Sequence, residues 1–287
     1  MEWGLLAVVA LIWGSSFLLI AEALESMPPA FITFSRLALG MVTLAFVPRS
    51  RRPIARADWP QLVAVSIFWM TIPFLLFPVA QQWVSSSTTG MLNGAVPIFS
   101  AVVASILLRR PPGAAQAAGL LVGFAGVGLV SFSGGAAGGS TAFGVFLVVL
   151  ATACYGLAVN LAVPLQQRYG SLPVLWRALG VATACTAPFA LLSGGPHDIT
   201  ATGVASILTL GVLGTGLAFV AMTTLAGRTG GTRSATAIYF IPVVALILGV
   251  AVRGESVTAM AIVGVALTLG GAFLVSRREA GRVTQRH

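Results

Sequence analysis

The chain has 287 residues, of which 57% are hydrophobic and 8% are charged, and its formal net charge is +9 at pH 7. With a mean hydropathy of +0.97, this composition excludes an ordinary soluble domain, because a soluble surface carries more charge. All sixteen basic residues are arginines, and the lack of lysine excludes a Walker-type phosphate loop and with it a self-contained ATP-driven pump.

Ten apolar stretches of about 20 residues follow one another along the chain, and a helix of about that length crosses roughly 30 Å of hydrocarbon. They cover residues 3–22, 28–47, 61–80, 87–108, 114–132, 141–163, 172–192, 204–225, 233–252 and 257–276. No positive residue precedes the first stretch, so we expect an uncleaved first helix and not a signal peptide. The sequence therefore predicts an all-α integral membrane protein with ten transmembrane helices.

The arginines predict the orientation of these helices. If the N-terminus is cytoplasmic, the loops and tail on that side hold thirteen arginines and the opposite side holds Arg253 alone. This bias predicts a multi-pass protein of a bacterial inner membrane with both termini in the cytoplasm. The basic residues lie in short loops and not along one helical face, so we expect the lipid bilayer as a partner and no nucleic acid.

The chain is predicted to be a doubled unit, because residues 88–131 are repeated without a gap by residues 233–276. The aligned positions include Pro97 with Pro242, Gly119 with Gly264 and Gly126 with Gly271. A glycine-rich segment at 134–139 divides five helices from five. We therefore expect a first repeat at residues 1–137 and a second at 138–287, inverted with respect to each other because each holds an odd number of helices.

Each copy predicts a helix with a proline near its middle, a short turn and a helix with a glycine face. Pro97 and Pro242 each free a carbonyl one turn earlier, so they are candidate hinges for alternating access or, equally, static bends. The glycine faces predict close helix packing. They are either scaffold or a contact between two copies, and we expect a monomer or a weak homodimer.

Several short motifs resemble those of the drug/metabolite transporter superfamily, in its ten-helix EamA-type branch. They are Trp13 to Phe17, Arg36 to Ala38, Pro97 to Phe99, Tyr239 to Pro242, Gly254 with Glu255, and the glycine spacing of the last helix. The first copy departs from this pattern, since Arg109 and Arg110 stand where the family often has Gly-Glu. The resemblance implies a carrier of small organic metabolites, often amino acids and commonly moved outward, and leaves sugars, nucleosides and cationic drugs open.

Arg36 is the foremost candidate for substrate binding. It lies about eight residues, or roughly 12 Å, into its predicted helix, where a charge costs about 2.5 to 3.5 kcal/mol on insertion scales. We therefore expect it to face the protein interior and to anchor a substrate carboxylate. The alternative is an arginine that caps carbonyls of a neighbouring helix or pairs with Glu22 or Glu25. Its counterpart Arg177 is shallower and can reach the cytoplasmic interface.

Other polar and aromatic side chains at membrane depth either line a cavity or form bonds between helices. With Arg36, the predicted substrate-binding set is Trp13, Ser15, Ser16, Asn93, Tyr155, Asn160 and Tyr239.

The sequence offers no set of catalytic groups. The predicted spans contain no histidine and no carboxylate pair, and His197 and Asp198 fall in a loop. Cys154 and Cys185 have no metal-ligand spacing. We therefore expect no catalytic residue, no metal and no cofactor, and an intramembrane enzyme or a channel-like facilitator remains as the alternative to a carrier.

The driving force is predicted from the carboxylates. Glu22, Glu25 and Glu255 all lie near the ends of predicted spans, whereas proton-coupled carriers hold a carboxylate in the pathway. The sequence therefore favours facilitated export or exchange over obligatory proton coupling. The resemblance implies a small amphipathic metabolite as the substrate, and we expect an amino acid or a related compound.

Overall fold

The computed structural model describes residues 2–109, 111–136, 141–230, 234 and 236–283, with the backbone alone at 134–136 and 277–283. Within these residues all regular secondary structure is helical, and the long helical segments number ten, as predicted. In chain order they are α1 Glu2–Leu24, α2 Pro29–Ala45, α3 Arg56–Ala80, α4 Ser86–Leu107, α5 Ala114–Ala136, α6 Ala142–Tyr169, α7 Ser171–Leu192, α8 Ala201–Thr229, α9 Thr236–Arg253 and α10 Ala259–Val283.

Nine of these ten segments are long and apolar enough to cross a membrane, counted over the described part of the chain. The tenth, α2, has 17 residues, which is about 25 Å of helix. Several helices run past the apolar stretch that predicted them. For example, α6 continues to Tyr169 and α8 spans Ala201–Thr229, because polar residues such as Gln166 continue a helix beyond the hydrocarbon as readily as apolar ones.

Two predicted boundaries lie outside the described residues. They are the start of the ninth span at residue 233 and the division between repeats at residues 137 and 138. The first glycines of the predicted linker, Gly134 and Gly135, belong to the end of α5.

The two proline helices differ in form. Pro242 lies inside a continuous helix. In contrast, α4 is interrupted after Asn93 and resumes at Val96, so that Pro97 occupies the first turn of the second piece, where its missing N–H leaves no hydrogen bond unmade. The two helices touch at these positions, since a Cβ built on Gly94 would lie 2.7 Å from the Pro242 ring.

The glycine faces of α5 and α10 lie against each other within the chain. A Cβ on Gly126 would come within 2.5 Å of the Gly264 carbonyl oxygen, and a Cβ on Gly271 within 2.5 Å of the Gly119 carbonyl oxygen. Because Gly264 and Gly271 repeat Gly119 and Gly126, exchanging the halves maps each contact onto the other. The two helices therefore run antiparallel about a local two-fold axis, which is the relation of inverted repeats.

The same exchange relates the other helix contacts. It turns the contact of α1 with α9 into the contact of α6 with α4. In the same way, α1 with α8 becomes α6 with α3, and α2 with α8 becomes α7 with α3. Gly14 meets Val244 across the first pair, and Gly156 meets Phe99, the repeat counterpart of Val244, across the second. Each half thus packs its first two helices on the other half, and the predicted fold of two inverted five-helix repeats is confirmed.

The bundle has two ends. We call the end with Glu2, Leu107 and Thr229 the proximal end, and the end with Leu24, Ala80 and Arg253 the distal end. Apolar side chains on the outside of the bundle are exposed, for example Leu121 and Phe132 on α5, as expected of surfaces that face lipid. The chain is a multi-pass membrane protein.

Candidate functional site

Both copies of the third helix widen into a π-helix near the middle of the bundle. The segments are Ile67–Thr71 in α3 and Thr209–Leu217 in α8. In each, a threonine hydroxyl donates to the carbonyl five residues earlier, Thr71 to Ser66 and Thr215 to Leu210. A π segment leaves local carbonyls without their usual helical partners, and such segments are frequent at functional sites.

The π segment of α8 receives side chains from α1 and α2. The Trp13 indole donates from Nε1 to the Gly214 carbonyl at 3.0 Å, and Arg36 donates from Nε to Thr215 Oγ1 at 2.9 Å. The Arg36 guanidinium also lies over the Phe74 ring, 4.3 Å from its centroid. The hydrogen bond and the ring together fix the guanidinium deep inside the bundle.

A cavity of about 160 Å³ lies between the two halves and is lined by Trp13, Arg36, Phe74 and Gly214 among others. A cavity of about 150 Å³ holds a benzene-sized molecule. Most of its wall is apolar or aromatic and includes Phe17, Phe77 and Phe219. Its polar groups come from the Gly214 carbonyl and from the side chains of Trp13, Ser16, Arg36, Trp69, Asn93 and Tyr155. Among the described residues that line the cavity, Arg36 carries the charge and none is Asp or Glu.

Asn93 and Tyr155 carry polar atoms that make no hydrogen bond within the described part of the chain. The Asn93 side-chain oxygen is buried and has no partner, and no described residue bonds the Tyr155 hydroxyl, although its ring packs against Phe77 with centroids 5.7 Å apart. An unmade hydrogen bond on a buried polar group is costly. Both groups are therefore available to a bound molecule.

Five of the eight residues predicted to bind substrate thus meet at one cavity, and three lie elsewhere. Ser15 donates to the Ile12 carbonyl of its own helix. Asn160 donates to the main chain and hydroxyl of Ser100, so it joins α6 to α4. Tyr239 donates to the Ser276 hydroxyl at 2.7 Å and joins α9 to α10. A substrate role for any of the eight residues remains a prediction.

The alternative role of Arg36, an ion pair with Glu22 or Glu25, is not found among the described residues. Glu22 and Glu25 both bind Arg253, at 2.5 Å and 2.9 Å. Arg177 lies at the proximal end, where it donates to the carbonyls of Ser50 and Arg51. The repeat therefore places one arginine in the cavity and its counterpart at the surface.

Polar contacts also join the helices at the distal end. Glu255 accepts hydrogen bonds from the N–H groups of Ser86 and Ser87 at the start of α4, at 2.9 Å and 2.8 Å. Burial alone would raise the pKa of this carboxyl, but the hydrogen bonds from Ser87 and Ser86 outweigh it and hold the pKa below its ordinary value. Glu255 is therefore an ionised cap on a helix N-terminus.

The wall of the cavity is more deeply buried towards the distal end. There, Ile20 is 1% exposed and Phe77 is 3% exposed, whereas Val159, on the proximal half of α6, is 38% exposed. The more accessible wall thus lies on the proximal side.

Two segments of the chain, residues 2–132 and 142–277, match the model of the EamA-like transporter family, one in each half. The chain belongs to this family. It is 30% identical, over 98% of its own length and 94% of the other, to a probable terminal-alkyne amino-acid exporter of Streptantibioticus cattleyicolor. It is 25% identical, over 94% and 93% of the two chains, to a probable amino-acid metabolite efflux pump of Salmonella typhimurium.

A solved crystal structure has the same fold as this EamA-like chain. The TM-score is 0.64 at 20% sequence identity, with 96% of this chain and 97% of the other covered. Membership of the EamA-like family makes the chain a membrane transporter and not an enzyme.

The sequence reasoning missed two parts of the EamA-like site. It did not place the π segments, although the middle of α8 holds glycines at 211, 214 and 216 and a threonine at 215, a composition that signals an irregular helix. It also missed the aromatic wall, because Phe74, Phe77 and Phe219 stand in apolar stretches where nothing distinguishes a cavity-facing ring from a lipid-facing one.

Proposed function

We propose that this chain exports small amphipathic carboxylates, amino acids or related compounds, across a bacterial inner membrane by alternating access. The observation that carries the proposal is the Arg36 guanidinium. It is half-buried in the wall of a cavity between inverted halves, with Nε bound to Thr215 and with its Nη atoms making no hydrogen bond to a described residue. A bidentate pair with a carboxylate would satisfy those donors, and the names of two relatives refer to amino acids or their metabolites.

The orientation supports transport outward. Arg49 and Arg52 lie in the proximal loop between α2 and α3, Arg56 begins α3 at the same end, and Arg253 ends α9 at the distal end. By the positive-inside rule the proximal end, where α1 begins and α10 ends, is cytoplasmic. The accessible side of the cavity then faces the cytoplasm, where an exported substrate binds first. Arg110, Arg233 and Arg286, which also contribute to the predicted bias, lie outside the described residues.

The positions of the protein's own carboxylates support facilitated export or exchange. Glu22 and Glu25 are paired with Arg253 and Glu255 caps α4, so these groups are held at the distal end and not in the cavity. We further propose that residues 1–137 and 138–287 are the two units that rock against each other. Because α5 and α10 use their glycine faces within the chain, we favour a monomer over a weak homodimer.

The test is counterflow by the purified chain in liposomes, with amino acids, organic acids, sugars, nucleosides and organic cations as candidate solutes. We expect saturable counterflow of carboxylates, and at least a tenfold loss of apparent affinity in Arg36→Gln. Arg177→Gln is the matched control, since this arginine lies outside the cavity, and it should retain wild-type affinity. Unchanged affinity in a folded Arg36→Gln variant would refute the carboxylate site, and unitary conductance would indicate a channel.

A further inference from the structure

We propose that the cavity selects carboxylates of net charge −1, such as 2-oxo acids and N-acyl amino acids, over the zwitterionic amino acids with the same side chain. This inference rests on the proposed function and specifies the substrate class of the same site.

The charge balance of the cavity is the first support. Arg36 contributes a positive charge, and no Asp or Glu lies among the described residues of the wall. The nearby acidic groups have other partners, since Glu22 and Glu25 bind Arg253 and Glu255 binds the start of α4. A buried charge is stabilised by an opposite charge. A monoanion therefore neutralises the cavity, whereas a zwitterion leaves it positive.

The free donors of Arg36 are the second support. Thr215 engages Nε and the Phe74 ring covers one face of the guanidinium, while the Nη atoms have no hydrogen bond to a described residue. This leaves the edge of the guanidinium that suits bidentate binding of a planar carboxylate.

The neutral groups on the wall are the third support. The Tyr155 hydroxyl and the Asn93 amide can donate to a 2-oxo or 2-hydroxy oxygen, and the Asn93 oxygen, which lacks a partner, can accept from an acylated N–H. An ammonium group requires several acceptors or a carboxylate once it leaves water. The wall offers it the uncharged side-chain oxygens of Ser16, Asn93 and Tyr155 and ring faces, close to the like charge of Arg36 and with no carboxylate among the described lining residues. The amino group of a zwitterion is thus less well satisfied than a neutral substituent.

The size of the cavity limits which substrate side chains can fit. About 160 Å³ with a largely aromatic wall fits a short branched or aromatic tail. The leucine series is a suitable probe, because 4-methyl-2-oxopentanoate, leucine and leucine amide share one tail and carry net charges of −1, 0 and +1.

The experiment measures the apparent affinity of each of the three compounds from its competition in counterflow by the full chain in proteoliposomes at pH 7, with protein-free liposomes as the blank. We expect 4-methyl-2-oxopentanoate to bind at least tenfold more tightly than leucine, and leucine amide to bind most weakly. Asn93→Asp adds a carboxylate to the wall and should shift the preference towards leucine by at least tenfold. Arg177→Gln should keep the wild-type order.

The outcomes separate the two proposals. Counterflow with leucine equal to or better than the oxo acid in the wild-type chain would overturn the charge selection and leave the exporter proposal intact. A lack of counterflow with all three compounds and with the wider solute panel would overturn both. If Asn93→Asp does not fold, the wild-type order of affinities decides the question by itself.

Discussion

The crossing of α5 and α10 makes a quantitative prediction about single methyl groups. A Cβ added at Gly126 would lie 2.5 Å from the Gly264 carbonyl oxygen and from the Thr268 nitrogen, and a Cβ added at Gly271 would lie 2.5 Å from two backbone atoms of α5. Ordinary contacts begin near 3.4 Å. Because the opposing atoms are backbone, the helices themselves must separate, and overpacking of this kind costs about 1 to 3 kcal/mol.

The same helices provide matched controls. A Cβ at Gly128 on α5, or at Gly270 on α10, has nothing within 4 Å. Alanine at these open positions should be neutral or stabilising by up to about 1 kcal/mol, because alanine has the higher helix propensity. The difference between the contact variant and the control on the same helix therefore isolates the steric cost.

The assay is reversible unfolding of the purified chain in detergent, with Gly126→Ala compared with Gly128→Ala, and Gly271→Ala compared with Gly270→Ala. We expect each contact variant to be less stable than its control by about 1 to 3 kcal/mol, and the two differences to agree, since the two-fold relation makes the contacts equivalent. Equal stability of contact and control variants would refute the close crossing. A large difference on one helix alone would refute the two-fold relation.

Three further predictions concern the turns and the proline. Glu255→Gln should destabilise the chain by about 1 kcal/mol through loss of a charged helix cap. The folded-state pKa of Glu255 is lowered, so the stability difference between the wild-type chain and Glu255→Gln should be complete at pH 7. In thermal unfolding this difference should be lost only as the pH falls below the ordinary carboxyl value of 4.5. Its loss near pH 6 would contradict the cap. Arg109 has φ +50° at the repeat position of Gly254, which has φ +64°, so Arg109→Gly should raise stability by about 1 kcal/mol and Gly254→Ala should lower it, as measured by denaturant midpoints. Pro242→Ala should slow counterflow severalfold without changing apparent affinity if Pro242 is a hinge, and normal turnover would identify a static bend.

The parts of the fold that the sequence predicts are those that backbone chemistry determines. Hydropathy located the ten helices because only a helix satisfies its backbone within lipid. Glycines and prolines at a constant offset revealed the repeat, because Gly126 and Gly271 meet the same steric requirement on opposite helices. The interruption of α4 was not predictable from Pro97 alone, since a proline inside a helix and one in a first turn look alike in sequence.

The site was less predictable than the fold. Arg36 was identifiable because a charge at membrane depth requires an internal environment. In contrast, Asn160 and Tyr239 have the same polarity as Asn93 and Tyr155, yet they join neighbouring helices while the latter pair lines the cavity. That difference depends on which side of each helix faces the other half, and this is fixed by the tertiary packing.

Alternating access of one cavity to both sides of the membrane can be measured at Ser16, whose small side chain lies on the wall. A Ser16→Cys variant of a chain with Cys154 and Cys185 replaced by alanine is exposed to a membrane-impermeant maleimide in right-side-out and in inside-out vesicles. A carrier that opens alternately to each side predicts labelling from both sides, slowed in each case by a transported carboxylate. Labelling from one side only, whether or not substrate is present, would contradict it.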